Sequence, residues 1–271
     1  MLSFLTINIL IKHCKNTKKA TKYCIFVSVM NKYLLNIISN SCVAKDVFRM
    51  ELTGEIPALK CGSFVEIAVE GCYLRRPISV CASCEGHLTL VYKIVGEGTR
   101  KMSELSYGQK VDLIGGLGNG FSLSPLPAHP LLIGGGIGTA PLLQLATDLR
   151  AAGSTPLLLA GFNSASDIFL EKEFTDLCAQ VIFTTLDGSR GIQGMVTEVL
   201  SSLHFDYFYA CGPMPMLKAV STAIPHPGQL SLEERMGCGF GICMGCSIQT
   251  AGGPKRICKE GPVFRKEELL W

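Results

Sequence analysis

PLLIGGGIGTAPLLQLATDLR (130–150) decides the fold. Leu131, Leu132 and Ile133 form a short apolar run, five residues rich in glycine follow, and Leu142, Leu145, Ala146 and Leu149 then recur at i, i+3, i+4 and i+7. A buried strand, a glycine loop and an amphipathic helix in that order open a strand–helix–strand unit. The same alternation continues C-terminally. PLLLAGF (156–162) precedes a predicted helix carrying Leu170, Phe174, Leu177 and Cys178, VIFTTLDG (181–188) precedes a predicted helix MVTEVLSSL (195–203), and DYFYACGP (206–213) precedes MLKAVSTAI (216–224). The region 127–228 therefore reads as a parallel α/β domain, with its ligand site expected at the carboxyl ends of the strands.

N-terminal to this unit the rhythm is different. FVEIAVEG (64–71), RPISVCAS (76–83), HLTLVYKIVG (87–96) and KVDLIGGLG (110–118) are short β-type segments rich in branched and aromatic residues and bounded by turn formers. The region 30–126 is predicted to be an antiparallel β-barrel or sandwich. Residues 229–271 are rich in glycine and cysteine, with too little apolar periodicity for a core of their own. Residues 1–29 hold two apolar runs, LTINILI and CIFVSV, around a lysine-rich tract. Neither run has the roughly 18 apolar residues of a membrane span, and the positive charge follows the first run instead of preceding it as in a signal peptide. This segment reads as a disordered or artefactual extension, with a membrane-surface anchor as the alternative.

Composition narrows the function class. At 48% hydrophobic and 17% charged residues over 271 positions, the chain is expected to be globular with buried cores. A net charge of +3 without a basic stripe argues against nucleic acid as a partner. Thirteen cysteines, an odd number, with no secretory signal, suggest reduced thiols and metal ligation in a cytoplasmic setting.

Four of those cysteines, Cys238, Cys243, Cys246 and Cys258, are spaced C-x4-C-x2-C-x11-C. The first three intervals match the loop of a plant-type [2Fe-2S] cluster. Gly237, Gly239, Gly241 and Gly245 are expected to supply the backbone freedom that brings thiolates and N–H groups together. A four-cysteine zinc site is the alternative, though zinc frameworks usually use two C-x2–4-C knuckles; unliganded thiols are the other. Cys81 and Cys84 form a second C-x2-C in what reads as a strand running into a turn, and are not expected to be a site. Cys14, Cys24, Cys42, Cys61, Cys72 and Cys178 stand singly.

Three further features point to nucleotides. Gly134, Gly135, Gly136, Gly138 and Thr139 form the loop between strand and helix, where N–H groups can face a pyrophosphate, with a merely flexible turn as the alternative. Cys211, Gly212 and Pro213 lie at a later strand end; Cys211 is a candidate beside a nicotinamide, or else a buried strand thiol. Between Leu157 and Glu171 no lysine or arginine is present to meet a ribose 2′-phosphate, which favours NAD over NADP. In the barrel region, Arg76, Pro77, Ile78 and Ser79 can offer a forked diphosphate contact and a hydroxyl for a flavin edge, or be a surface arginine and a strand serine. The turn predicted over 91–100 adds Gly98 and Thr99 as phosphate donors, and IGGLGNGF (114–121) is another glycine-rich loop.

In this order, RRPIS, GEGT, GGGIGTAP with CGPMPML, and the cysteine motif followed by EGPVF resemble the electron-transfer subunits of NAD-linked, B-type dihydroorotate dehydrogenases, from about Met30 onward. The resemblance implies a ferredoxin-reductase-like flavoprotein with FAD on the barrel, NAD on the α/β domain and a [2Fe-2S] cluster in a C-terminal subdomain. It assigns FAD to Arg76, Pro77, Ile78, Ser79, Val91, Tyr92, Lys93, Gly98 and Thr99, and the cluster to the four cysteines. The implied partner is an FMN-containing catalytic subunit, in a heterotetramer of two of each. Ile78 offers aliphatic packing where the wider reductase family commonly has an aromatic residue. Alternatives are an NAD(P)H diaphorase subunit of another redox complex and, in a different class, a zinc-stabilised binding module.

Overall fold

The computed structural model describes residues 30–271, so the expectation for 1–29 lies outside it. Six strands close into an antiparallel barrel: β1 (Asn31–Ala44), β2 (Val47–Thr53), β3 (Phe64–Ile67), β4 (Arg76–Cys84), β5 (His87–Lys93) and β6 (Lys110–Leu117), ordered β1-β2-β5-β4-β3-β6. Closure leaves no unpaired edge. Alternation sends Leu35, Ile37, Met50, Leu52, Val80, Leu88, Leu90 and Leu113 into one apolar interior. Between β5 and β6 the chain forms helix α1 (Glu97–Ser103) where a turn was predicted.

The second sheet has seven strands. Its parallel part contains β7 (Pro130–Gly135), β8 (Leu157–Phe162), β9 (Gln180–Thr185), β10 (Ile192–Gln193), β11 (Tyr207–Cys211) and β12 (Gly228–Ser231). Helices α2 (Leu142–Ala151), α3 (Glu171–Leu177) and α4 (Met214–Ala223) lie between strands. The order β10-β9-β8-β7-β11-β12 changes direction between β7 and β11, the topological switch at which ligands bind in open α/β sheets.

Two local expectations fail. The 195–203 segment forms two 3-10 turns, Val196–Glu198 and Leu200–Ser202, instead of a helix. Branched Val196, Thr197 and Val199 give it weak helical preference, and it is too short for packing to compensate. Helix α3 begins after Leu170, which has a left-handed φ of 58°, and ends before Cys178, which is extended.

The C-terminal segment is tied into the same body. Strand β15 (Val263–Arg265) adds antiparallel to β12, leaving a small hairpin, β13 (Ser247–Thr250) with β14 (Gly253–Arg256), beside the cysteine loop. Cys246, Ile257 and Cys258 share an apolar cluster with Phe208, Leu230 and Phe264 from the sheet and Phe64 and Leu117 from the barrel. A second shared cluster joins Val47, Val91 and Phe121 to α2. Polar contacts cross the same seam: Gln144 accepts from the Ser83 N–H at 2.7 Å, and Arg49 pairs with Glu173 at 2.8 Å. No helix among the described residues is long and apolar enough to cross a membrane.

Candidate functional site

The carboxyl ends of β7 and β11 are adjacent because Cys211 registers with Gly134. A Cβ on Gly138 would lie 2.6 Å from the Cys211 carbonyl oxygen and from the Gly212 backbone, so at Gly138 the two loops meet main chain to main chain. Thr139, at the place of the third glycine in a dinucleotide loop, is fully buried and folds its hydroxyl over Gly134, filling the space where a Cβ would go. Its Oγ1 has no protein partner.

The loops open onto a cleft of about 870 Å³ between barrel and sheet, large for a small-molecule site. Arg76, Pro77, Ile78 and Ser79 line one wall with Val91, Tyr92, Lys93 and Thr99; Gly135, Gly136, Gly138, Cys211, Gly212 and Pro213 line the other. The structure therefore brings both predicted groups to one cavity, with Gly98, Gly134 and Thr139 behind its surface. Ser79 pairs with Phe64 on the neighbouring strand β3, and that ring joins the lining. The Arg76 guanidinium crosses Gly98 so closely that a side chain there would collide with it. The Thr99 hydroxyl accepts the Val95 N–H at 2.9 Å and is committed to its own loop. That leaves the first-turn N–H groups of α1, those of Gly98 and Thr99 among them, as the phosphate donors expected here. Tyr92 donates to Asn40 Oδ1 at 2.9 Å, and burial pushes its phenol up to about 12. Lys93 reaches Asp167 across the cleft at 3.7 Å.

The expected Cys211 is joined in the cleft lining by Glu233 and Thr184, which no sequence motif reveals. Cys211 is buried, which pushes its thiol up to about 12 and keeps it neutral, with Ser231 hydrogen-bonded beside it. Glu233 lines the same cleft, its carboxyl raised by burial and then by Glu234. Thr184, fully buried with an unpartnered Oγ1, also faces this cavity. The unpartnered Thr184 hydroxyl and the lack of room for a side chain at Gly135, Gly138 and Gly212 suit a phosphate- and ribose-bearing ligand.

The four cysteines lie outside the cleft lining. Cys246 and Cys258, both buried, have sulfurs 3.2 Å apart. Cys238 receives the N–H groups of Ile242 at 3.3 Å and Cys243 at 3.5 Å. Burial opposes ionisation of Cys238, but the N–H groups of Cys243, Phe240 and Ile242 hold its thiol down to about 6. For Cys258, burial and then Cys246 push the thiol up to about 12. Cys246 and Cys258 thus meet through their sulfurs, while Cys243 reaches the Cys238 sulfur through its backbone N–H. Gly239 and Gly241 have φ of 75° and 87°, as does Met244 at 62°; Gly237 and Gly245 need no left-handed backbone, contrary to expectation. Arg256 staples the loop by donating to the Gly241 carbonyl and pairing with Glu260. Beneath the loop, Glu66 on β3 is buried, which pushes its carboxyl up to about 7 against the pull of Arg75.

Residues 233–270 match the model of the iron–sulfur cluster binding domain of dihydroorotate dehydrogenase B. The electron transfer subunit of dihydroorotate dehydrogenase B (NAD(+)) from Bacillus caldolyticus is 39% identical over 251 residues, covering 87% of this chain and 97% of the relative. The chain belongs to this electron-transfer-subunit family. A relative of the same name from Listeria monocytogenes serotype 4a is 40% identical over 248 residues, with the same coverage of both chains. Among solved structures, an NADH-dependent reduced ferredoxin-NADP oxidoreductase aligns with a TM-score of 0.80 at 30% identity, over 88% of this chain and 90% of its own. Phthalate dioxygenase reductase shares the fold, with a TM-score of 0.64 at 19% identity over 82% and 87% of the two chains. In this chain the cysteine motif and the two cleft walls occur on one continuous body.

Proposed function

We propose that this chain is the electron-transfer subunit of a cytoplasmic, NAD-linked dihydroorotate dehydrogenase serving pyrimidine synthesis, assembled with an FMN-containing catalytic subunit as a heterotetramer. The observation that carries this reading is a two-walled nucleotide cleft in the same body as a four-cysteine loop, with the Cys246 and Cys258 sulfurs in contact, in a chain 39% identical to a subunit of that name. Arg76 and the N-terminus of α1 would hold the FAD diphosphate, with Ser79 and Ile78 against the ring, while Gly134–Thr139 and Cys211–Pro213 would hold NAD. Cys238, Cys243, Cys246 and Cys258 would hold a [2Fe-2S] cluster. When bound, the flavin exchanges a hydride with nicotinamide and single electrons with the cluster, joining two carriers that cannot trade directly. The protein orders the parts: barrel and sheet share cores, so both walls of the cleft are fixed, and the neutral Cys211 thiol adds no charge beside a nicotinamide.

The isolated chain should reduce dyes with NADH yet leave dihydroorotate untouched, and mixing with the catalytic subunit should couple orotate formation to NAD+ reduction. Orotate formation by the isolated chain would overturn the reading. A second reading, a diaphorase subunit of another redox complex, draws support from the 30% identity to the ferredoxin-NADP oxidoreductase. In that case the chain would pass electrons to ferredoxin and fail to couple with the catalytic subunit.

A further inference from the structure

The cysteine loop rests on a carboxyl group that has no other task in the structure. Glu66 is 2% exposed, on a barrel strand whose four residues are all buried, and its Oε1 has no hydrogen-bond partner. The neighbouring arginine does not neutralise it: Arg75 donates to the Glu66 backbone carbonyl at 3.2 Å and gives its charge to Asp112 at 2.7 Å. An uncommitted carboxyl in such a place is costly, and an apolar side chain would fill a barrel strand more cheaply. What lies against it is Gly239, the residue following Cys238. A Cβ on Gly239 would collide with Glu66 Oε1 and lie 2.7 Å from its Cγ and 2.8 Å from its Cδ. Glycine is thus required at 239 twice over, by a φ of 75° and by the carboxyl beneath. On its other side Glu66 registers with Pro77 of β4, within the Arg76–Ser79 wall of the cleft.

We propose that Glu66 is a positioning residue: its side chain is the seat that fixes the Cys238 end of the cluster loop on the flavin-side wall of the barrel, and so sets how the two centres are coupled. This rests on the reading of the four thiols as a [2Fe-2S] site. Glu66 acts through Gly239 and is not a ligand. Its shape, more than its charge, makes the seat, so glutamine should replace it and alanine should not.

The test uses the full chain with its cofactors, as wild type, Glu66→Gln, Glu66→Ala and Gly239→Ala. Iron and flavin content, the electron paramagnetic resonance spectrum of the NADH-reduced cluster, and the separate rates of flavin and cluster reduction are recorded. Residues supporting a metal site typically cost about 10–100-fold when removed. Glu66→Ala and Gly239→Ala should slow cluster reduction by about that factor and shift the resonance lines, with flavin reduction at the wild-type rate, while Glu66→Gln matches wild type. Wild-type lines and rates in Glu66→Ala at full iron content would overturn the seat alone, as would a Glu66→Gln variant as impaired as Glu66→Ala. A wild-type chain without iron would overturn both the seat and the cluster reading beneath it.

Discussion

Two glycine-rich loops, Gly134–Thr139 and Gly237–Gly245, do opposite things with the same residue. In the first, glycine is required by close approach: Gly138 lies against the Gly212 main chain, and only Gly136 of the loop has a left-handed φ, of 52°. In the second, Gly239 and Gly241 need a left-handed φ and lie against the side chains of Glu66 and Lys259, while Gly237 and Gly245 meet nothing nearer than the Cys243 sulfur at 3.3 and 3.6 Å. The first loop is held by backbone that cannot give way; the second is held by side chains and, when loaded, by its metal. Glycine content alone therefore says little about what a loop tolerates.

The contrast can be broken by substitution. The largest effect belongs to the thiols: Cys258→Ser should abolish bound iron while leaving the flavin in place, as metal analysis and the absorption spectrum of the purified variant will show. Gly138→Ala comes next. Its Cβ meets main-chain atoms 2.6 Å away, so a loss of about 1–3 kcal/mol is expected in denaturant unfolding, with a raised KM for NADH. On the barrel wall, Arg76→Lys keeps the charge but loses the forked contact. Hydrogen bonds to charged groups contribute about 1.5–3 kcal/mol, so flavin affinity should fall about 10–100-fold by equilibrium dialysis. For Cys211 the prediction is a pH profile. An ordinary thiol stops gaining alkylation rate above about pH 8.5, whereas a thiol raised to about 12 by burial should react slowly and still accelerate tenfold per pH unit. Peptide mass spectrometry after iodoacetamide labelling reads this directly. Gly245→Ala, with no left-handed φ and its nearest neighbour 3.6 Å away, should change stability by less than about 0.5 kcal/mol.

Much of this arrangement is legible in sequence because it depends on local order. Strand, glycine loop and helix follow one another at 130–150, and the parallel sheet is the packing that buries them. The cysteine spacing is equally local. What escapes is created by long-range register. Glu233, Thr184 and Glu66 belong to no motif, and each acquires its place only when β12, β9 or the cysteine loop packs against another element. Strands β12 and β15 escape for the same reason, since Gly228–Ser231 and Val263–Arg265 are too short to show a period and become strands only by joining β11 and β12 in turn. The helix expected over 195–203 fails in the other direction, with a suitable apolar pattern on residues that favour extended or 3-10 backbone.

The central claim is that one chain carries a flavin and a two-iron cluster, both reached by electrons from NADH. The direct measurement is the visible absorption spectrum of the full chain, purified and reconstituted without oxygen, followed through a titration with NADH. Bleaching of both the flavin and the iron–sulfur bands is the predicted result. A chain that remains colourless after reconstitution, holds zinc and ignores NADH would contradict it.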